Sequence, residues 1–190
     1  SMCFSADILN LFCKNKAIIF SSIRGNLFKN YKYDYGIFGS FLAFFHYFIL
    51  NFFDYVSVMS RSMKSEIFPL SLKNVYLVRN FLDEAHLEKH KYKVESNRKN
   101  VKFIFIGSLS LRKQPVILLH AVKQLLSEGF SVRLDIVGTG KLYSVIKTLV
   151  KDLDLGDKVT IHGHLDNPYS LLCSSDVLLL PSLSEGMSRA

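Results

Sequence analysis

The residues best suited to grip a charged, oxygen-rich ligand stand in loops that follow short apolar runs. Gly107, Ser108, Arg112 and Lys113 follow 101–106, Gly138 and Gly140 follow 132–137, and Gly163 and His164 follow 158–162. Glu185 and Gly186 follow the run Asp176-Val-Leu-Leu-Leu-Pro-Ser182, and near the start Arg24 and Asn26 follow 17–21. A lysine about 4 Å from a phosphate oxygen is worth about 4 kcal/mol at an effective dielectric near 20. An arginine at a strand's carboxyl end is placed to meet an anion or sugar hydroxyls, or to lie solvated in a turn. Gly186 beside a single carboxylate, with Ser188 or a neighbour capping a helix, gives the N–H-rich turn that open α/β sheets present to phosphorylated ligands.

The elements needed to position these loops can be read from the apolar pattern. In the second half, runs of strand type at 101–106, 132–137 and 158–162 alternate with helical stretches at 115–128 and 140–153. Pro115 suits a first helical turn, and Gly129 and Gly156 are placed to stop the two helices. A short helix at 169–173 leads to the last strand. Such alternation implies right-handed crossovers and a parallel sheet. In the first half a helix is expected over 1–16, strands over 17–21, 54–60 and 75–78, and a helix over 61–68 ended by Pro69. Tyr31, Tyr33 and Tyr35 are aromatics able to stack on a sugar or to anchor a loop to a helix. The most apolar window, 37–53, is expected to be a long buried helix, with a helix pressed on a bilayer as the alternative; it is short for a span and holds Ser40, His46, Tyr47 and Asn51. His46 is expected as a hydrogen-bonded core histidine. The charged stretch 84–100 reads as a short helix and an exposed connection.

Composition narrows the function classes. The chain has 16 Phe and 9 Tyr, enough to build a core and to exclude wholesale disorder. A net charge of +8 suits nucleic acid, an anionic membrane or phosphorylated substrates, but no zinc-finger spacing or aromatic-basic signature supports nucleic acid as a partner. Cys3, Cys13 and Cys173 are odd in number and lack metal spacing, so free thiols are expected. No signal peptide is read at the start, and Ser1-Met2 marks either a cloning remnant or a cut in a longer chain. Gly138-Thr-Gly140 lacks the third glycine of a dinucleotide fingerprint, because position 143 is Tyr143, so a dehydrogenase is disfavoured. His162 and His164 alternate on a strand and are expected to share a face, yet without a third ligand they do not make a zinc site.

Taken in order, the loops resemble the family 4 retaining glycosyltransferases of GT-B fold. The family's Gly-Arg/Ser-Leu-x-x-x-Lys is matched by Gly107, Ser108, Leu109 and Lys113, and its Val-Gly-x-Gly by Val137, Gly138 and Gly140. A strand ending in glycine and histidine is matched by Gly163 and His164, and Asp-x-x-x-x-Pro-Ser-x-x-Glu-Gly by Asp176, Pro181, Ser182, Glu185 and Gly186. Ser60 and the junction Val78-Arg-Asn80-Phe-Leu-Asp83 resemble the family's acceptor-domain serine and interdomain segment, with Arg79 where the family has proline.

The resemblance implies an α/β protein of GT-B type, with two Rossmann-like domains built on parallel sheets. Residues 1–78 would be the latter part of an acceptor domain, 79–100 the junction and 101–190 an incomplete nucleotide-sugar domain. It implies Lys113 on the donor diphosphate, with Arg112 standing in for the basic residue usual at Ser108. Glu185 would contact the donor sugar, and the N–H groups of Gly186, Met187 and Ser188 the sugar or phosphate. Lys113 and Glu185 are therefore the expected catalytic residues. Gly107, Gly138, Gly140 and His164 would border the nucleotide, and Arg24 and Asn26 would lie on the acceptor side. The family's second glutamate falls at position 193, past the last residue, so the chain is expected to be the middle of an enzyme. Transfer would proceed on one face of the sugar, with no cofactor and no metal, to a glycan or lipid-linked acceptor in cell-surface polysaccharide biosynthesis. The expected location is the cytoplasm, at the inner face of the cell membrane. A nucleotide-sugar epimerase of the same fold, and a non-catalytic membrane-associated scaffold, are the alternatives.

Overall fold

A computed structural model describes residues 3–67, 72, 74–80 and 100–185. Pro69, most of the 84–100 connection, and Gly186, Met187 and Ser188 lie outside the described residues. Two compact units result. One holds the described residues to Asn80 together with Ser184 and Glu185, and the other holds 100–183.

The first unit runs α1 (Phe4–Leu11), β1 (Phe20–Ile23), α2 (Leu27–Tyr35), α3 (Ile37–Leu50), β2 (Tyr55–Val58), α4 (Arg61–Ile67) and β3 (Val75–Leu77). Its strands form a parallel sheet in the order β1-β2-β3, with Phe20 opposite Tyr55 and Val56 opposite Val75. The first helix is shorter than the expected 1–16, and β1 begins three residues later than the apolar run. Pairing sets that start: the Asp54 carboxylate accepts the Ile19 N–H at 2.7 Å, and the ladder with β2 opens one residue on. Asn26 caps α2, accepting the Lys29 N–H at 2.9 Å, which satisfies one of the donors a helix start leaves open. All three tyrosines lie in this helix, and Tyr31 turns inward.

Between α2 and α3, Gly36 takes φ 64°. Gly39 then brings the two helices together closely enough that a Cβ there would stand 1.9 Å from the Tyr31 carbonyl oxygen. The expectation of a buried helix over 37–53 fails on one side. Ala43, His46, Tyr47 and Leu50 are buried, while Ile37 is 90% exposed, Phe38 84% and Phe41 78%. A helix has only one stripe to offer a sheet, and a sequence apolar all round leaves the rest facing outward.

His46 is the core histidine expected, with partners on two other helices. Its Nε2 lies 2.6 Å from an Asp7 carboxylate oxygen, and its Nδ1 lies 2.7 Å from the Tyr31 hydroxyl. Asp7 and His46 are 1% and 3% exposed, so neither reaches water. With Nε2–H donating to the carboxylate and Nδ1 accepting from the phenol, every group is satisfied. Burial, then Tyr35 and Asp7 nearby, push the Tyr31 hydroxyl well above the usual tyrosine range.

The second unit runs β4 (Val101–Ile106), α5 (Pro115–Ser127), β5 (Val132–Val137), α6 (Tyr143–Asp152), β6 (Val159–Gly163), α7 (Tyr169–Ser174) and β7 (Val177–Leu178). All its strands are parallel, in the order β6-β5-β4-β7. Phe105, Leu119, Leu134, Ile136, Ile146 and Leu155 form the buried core. Pro115 opens α5 and Gly129, at φ 87°, follows its end as expected. The stop of α6 is not Gly156: Asp154 takes the left-handed turn at φ 53°, a conformation its short polar side chain tolerates. The last strand pairs over only two residues, but Asp176 doubles the grip. Its N–H donates to the Lys102 carbonyl at 2.8 Å and its carboxylate accepts the Lys102 N–H at 2.7 Å.

The Tyr31 environment gives a signed expectation. An unfolded tyrosine releases its proton near pH 10, whereas the folded Tyr31 keeps it, so above pH 10 the unfolded chain binds fewer protons and stability falls as pH rises. The slope has a ceiling of about 1.4 kcal/mol per pH unit, and part of the ring faces water, which lowers it. Urea unfolding of Tyr31→Phe between pH 9 and about 11.5 should show a shallower alkaline loss than the unaltered chain. Parallel curves would place the ionisation elsewhere.

Candidate active site

The loops that follow β4, β5 and β6 meet at the carboxyl edge of the second sheet, where parallel sheets carry ligands. Backbone hydrogen bonds join them. The Gly107 N–H donates to the Val137 carbonyl at 3.0 Å, Leu109 N–H to Thr139 at 2.9 Å, and Leu142 N–H to Leu109 at 2.9 Å. From the other side the Gly138 N–H reaches the Gly163 carbonyl at 2.7 Å. Glycine is required at both ends of the middle loop. A Cβ on Gly138 would stand 1.9 Å from the Gly107 oxygen, and one on Gly140 2.5 Å from the Leu109 oxygen; both residues have positive φ.

A cavity of about 300 Å³ opens there, with Gly107, Ser108, Gly138, Thr139, His164 and Leu165 in its wall. Four residues singled out in the sequence thus share one cavity. Gly140 packs on Leu109 instead and shapes the loop from behind. Lys113 is half-buried, and its Cδ passes 4.0 Å from the position of a Gly107 Cβ, so its stem runs along the same loop. Arg112 is half-buried beside it, and its carbonyl accepts the Leu183 N–H at 2.9 Å. That bond ties the loop before α5 to the loop after β7. Gln114, at φ 49°, then turns the chain into α5. Glu185 is exposed, two residues beyond Leu183.

In the first unit Arg24 is exposed just past β1, and Asn26 has its carboxamide engaged in the α2 cap.

The two histidines do not act as a pair. A bulge in the β5–β6 ladder, where Ile136 faces Ile161 but Val137 faces Gly163, makes His162 the extra residue. Its Nε2 lies 2.6 Å from the Asp135 carboxylate. Gly163, at φ 72°, ends the alternation, and the exposed His164 continues into the cavity wall with Asp166 3.4 Å away. Among the described residues no three His, Cys, Asp or Glu side chains gather as a metal-ligand set. The sequence reading missed Thr139, Leu165 and the Asp135–His162 pair. Pairing sets Asp135 opposite Thr160, two residues before His162, but neither strand order nor the bulge is visible before folding.

Chemically, the cavity offers backbone amides, hydroxyls and an imidazole, with two cations on the adjoining loop. Such a set suits a polyhydroxy ligand carrying negative charge.

Comparison with known proteins identifies the family and the fold. The model of the family described as glycosyl transferases group 1 matches residues 87–190. An N-acetyl-alpha-D-glucosaminyl L-malate synthase of Bacillus anthracis is 30% identical over 142 residues, 70% of this chain and 36% of that protein. A Campylobacter jejuni N-acetylgalactosamine-N,N'-diacetylbacillosaminyl-diphospho-undecaprenol 4-alpha-N-acetylgalactosaminyltransferase is 28% identical over 123 residues, 64% of this chain and 32% of that protein. The chain therefore spans about a third of the length of these relatives. In structure it is similar to Anabaena HepE solved with UDP and glucose, at TM-score 0.74 and 15% identity over 95% of this chain and 51% of that one. It is similar also to the pneumococcal O-GlcNAc transferase solved with UDP and GlcNAc, at TM-score 0.72 and 16% identity over 96% and 36%. These likenesses give the fold as α/β of GT-B type. The family match over more than half its length makes this chain a member of the group 1 glycosyl transferases.

Proposed function

We propose that the protein carrying this chain transfers a sugar from a nucleotide-sugar donor to a glycan or lipid-linked acceptor, with retention at the anomeric carbon. The observation that carries the reading is the cavity where the Gly107–Leu109 and Gly138–Gly140 backbones interlock beside Lys113. UDP in the structures of two similar proteins, and the diphospho-undecaprenol in the name of the Campylobacter relative, support the donor and acceptor classes.

In the proposed reaction the bond from the anomeric carbon to the diphosphate breaks while a bond to the acceptor oxygen forms on the same face. The acceptor's proton passes to the departing phosphate oxygen, which gains the electron pair. Lys113 and Arg112 offset the charge that grows on the diphosphate, the place where fixed cations lower a barrier most. Ser108 brings a hydroxyl where the family commonly has a cation, so the charge falls to that pair. Glu185 accepts from donor-sugar hydroxyls, and the N–H groups of Gly186 to Ser188 are assigned to the same ligand. His164 and the Gly138 loop border the nucleotide, and Arg24 and Asn26 are assigned to the acceptor side. With cations supplied by side chains, the step is written without a metal or cofactor.

Nucleotide release from a panel of donors tests the whole. Lys113→Ala should lower kcat/KM about a thousandfold, and an unchanged rate would remove Lys113 from the site. Excess EDTA should leave the rate unaltered, whereas a loss restored by magnesium would show that a divalent ion is required. Gly138→Ala drives a methyl into the Gly107 oxygen, so UDP binding by calorimetry should fall below detection. Retained affinity would place the nucleotide away from this cavity.

A further inference from the structure

The outward face of α3 is largely open to solvent. Phe38, Phe41, Phe44, Phe45 and Phe48 recur every three or four positions and are all exposed. The face continues onto α1, where the ring of Phe4 meets Phe45 with centroids 6.2 Å apart. Tyr35, Phe38, Phe41, Leu42 and Phe45 surround a second cavity of about 300 Å³ on this side of the first unit, apolar except for the one phenol. Patches of this kind on a folded surface mark an interaction site.

Charge selects the occupant. Helix α3 has no charged residue, but the cations on neighbouring segments, Lys14, Lys16, Lys29 and Lys32, all face solvent. Lys14 stands over the Phe52 ring, 5.3 Å from its centroid, at the end of the aromatic row. Two of the three acids among residues 3–54 are turned to internal tasks, Asp7 on His46 and Asp54 on the Ile19 N–H. Only Asp34 is left exposed against the lysines. A phenylalanine row with cations beside it matches a surface that is apolar below and anionic above. Length excludes crossing: the 14 residues of α3 extend about 21 Å, against about 30 Å of hydrocarbon. No described helix is long and apolar enough to span.

We propose that the exposed face of α3, centred on Phe38, Phe41 and Phe45 with Lys14 at its end, docks flat on an anionic lipid bilayer. The surface lies wholly in the first unit and uses none of the donor-site residues, so its test and that of the transfer reaction fail independently.

Flotation of this chain with two kinds of vesicle decides it: phosphatidylcholine alone, and phosphatidylcholine mixed equally with phosphatidylglycerol. The chain should float with the mixed vesicles, less with the neutral ones, and less at high salt. Phe38→Ser with Phe41→Ser should cut partitioning at least about tenfold, and Lys14→Glu with Lys16→Glu about as much. All four side chains are exposed, so circular dichroism and thermal unfolding should not change. Failure to float with the anionic vesicles overturns the proposal, and so does equal binding to both kinds. Self-association abolished by the two phenylalanine changes, without flotation, would assign the face to a second copy of this chain instead.

Discussion

In the second unit two stretches of backbone lie nearer to each other than any side chain would permit, and the cavity follows from that contact. The Gly138 and Gly140 positions face carbonyl oxygens directly, so main-chain hydrogen bonds hold the loops after β4 and β5 together, while Leu109 anchors the first of them in the core. Main-chain contacts of this sort depend little on side-chain identity. The side chain at Ser108 can therefore be exchanged while the wall around it keeps its shape. The glycines act here through the space they leave as much as through their dihedral freedom.

The first unit is governed by a different limit, the single stripe that a helix can turn toward a sheet. The described strands and helices bury Val56, Val58, Ala43 and Leu50, while the phenylalanines on the far side of α3 face away from the sheet and stay exposed. Gly39 intensifies the effect. By letting α2 lie against α3 main chain to main chain, it fixes which face of α3 turns inward. A bulkier residue there would leave the same apolar content with a different orientation.

Much of this was legible in the sequence because it rests on local rules. Apolar runs, Pro115 at a helix start and Gly129 past a helix end gave the parallel α/β alternation, and the motif order gave the family. What could not be read depends on neighbours distant in the chain. The start of β1 is set by Asp54, and the fate of His162 by a bulge against β5. The half-exposed state of α3 depends on which side packs on its neighbours, and a sequence apolar all round does not signal that. Asp154 shows the local rules misleading: glycine is the commoner helix stop, yet Asp154 two residues earlier took the left-handed turn. At the site, glycines and His164 were visible as punctuation, whereas the bond from Leu183 to Arg112 joins residues 71 positions apart and had no local signal.

The Asp7–His46–Tyr31 chain has a consequence for how the first unit assembles. Its three members come from three helices, separated by 39 and 15 positions, and the histidine bonds to both of the others. With α2 and α3 docked but α1 absent, the imidazole would lack its acceptor. With α1 docked but α2 swung away, its other nitrogen would lack its donor. A half-built unit thus carries an unmet polar group in an apolar setting, a penalty of about 1–3 kcal/mol that the complete unit escapes. Intermediate arrangements are raised in energy relative to both ends of the reaction. The buried triad sharpens the cooperativity of folding, a role distinct from adding to the stability of the finished structure.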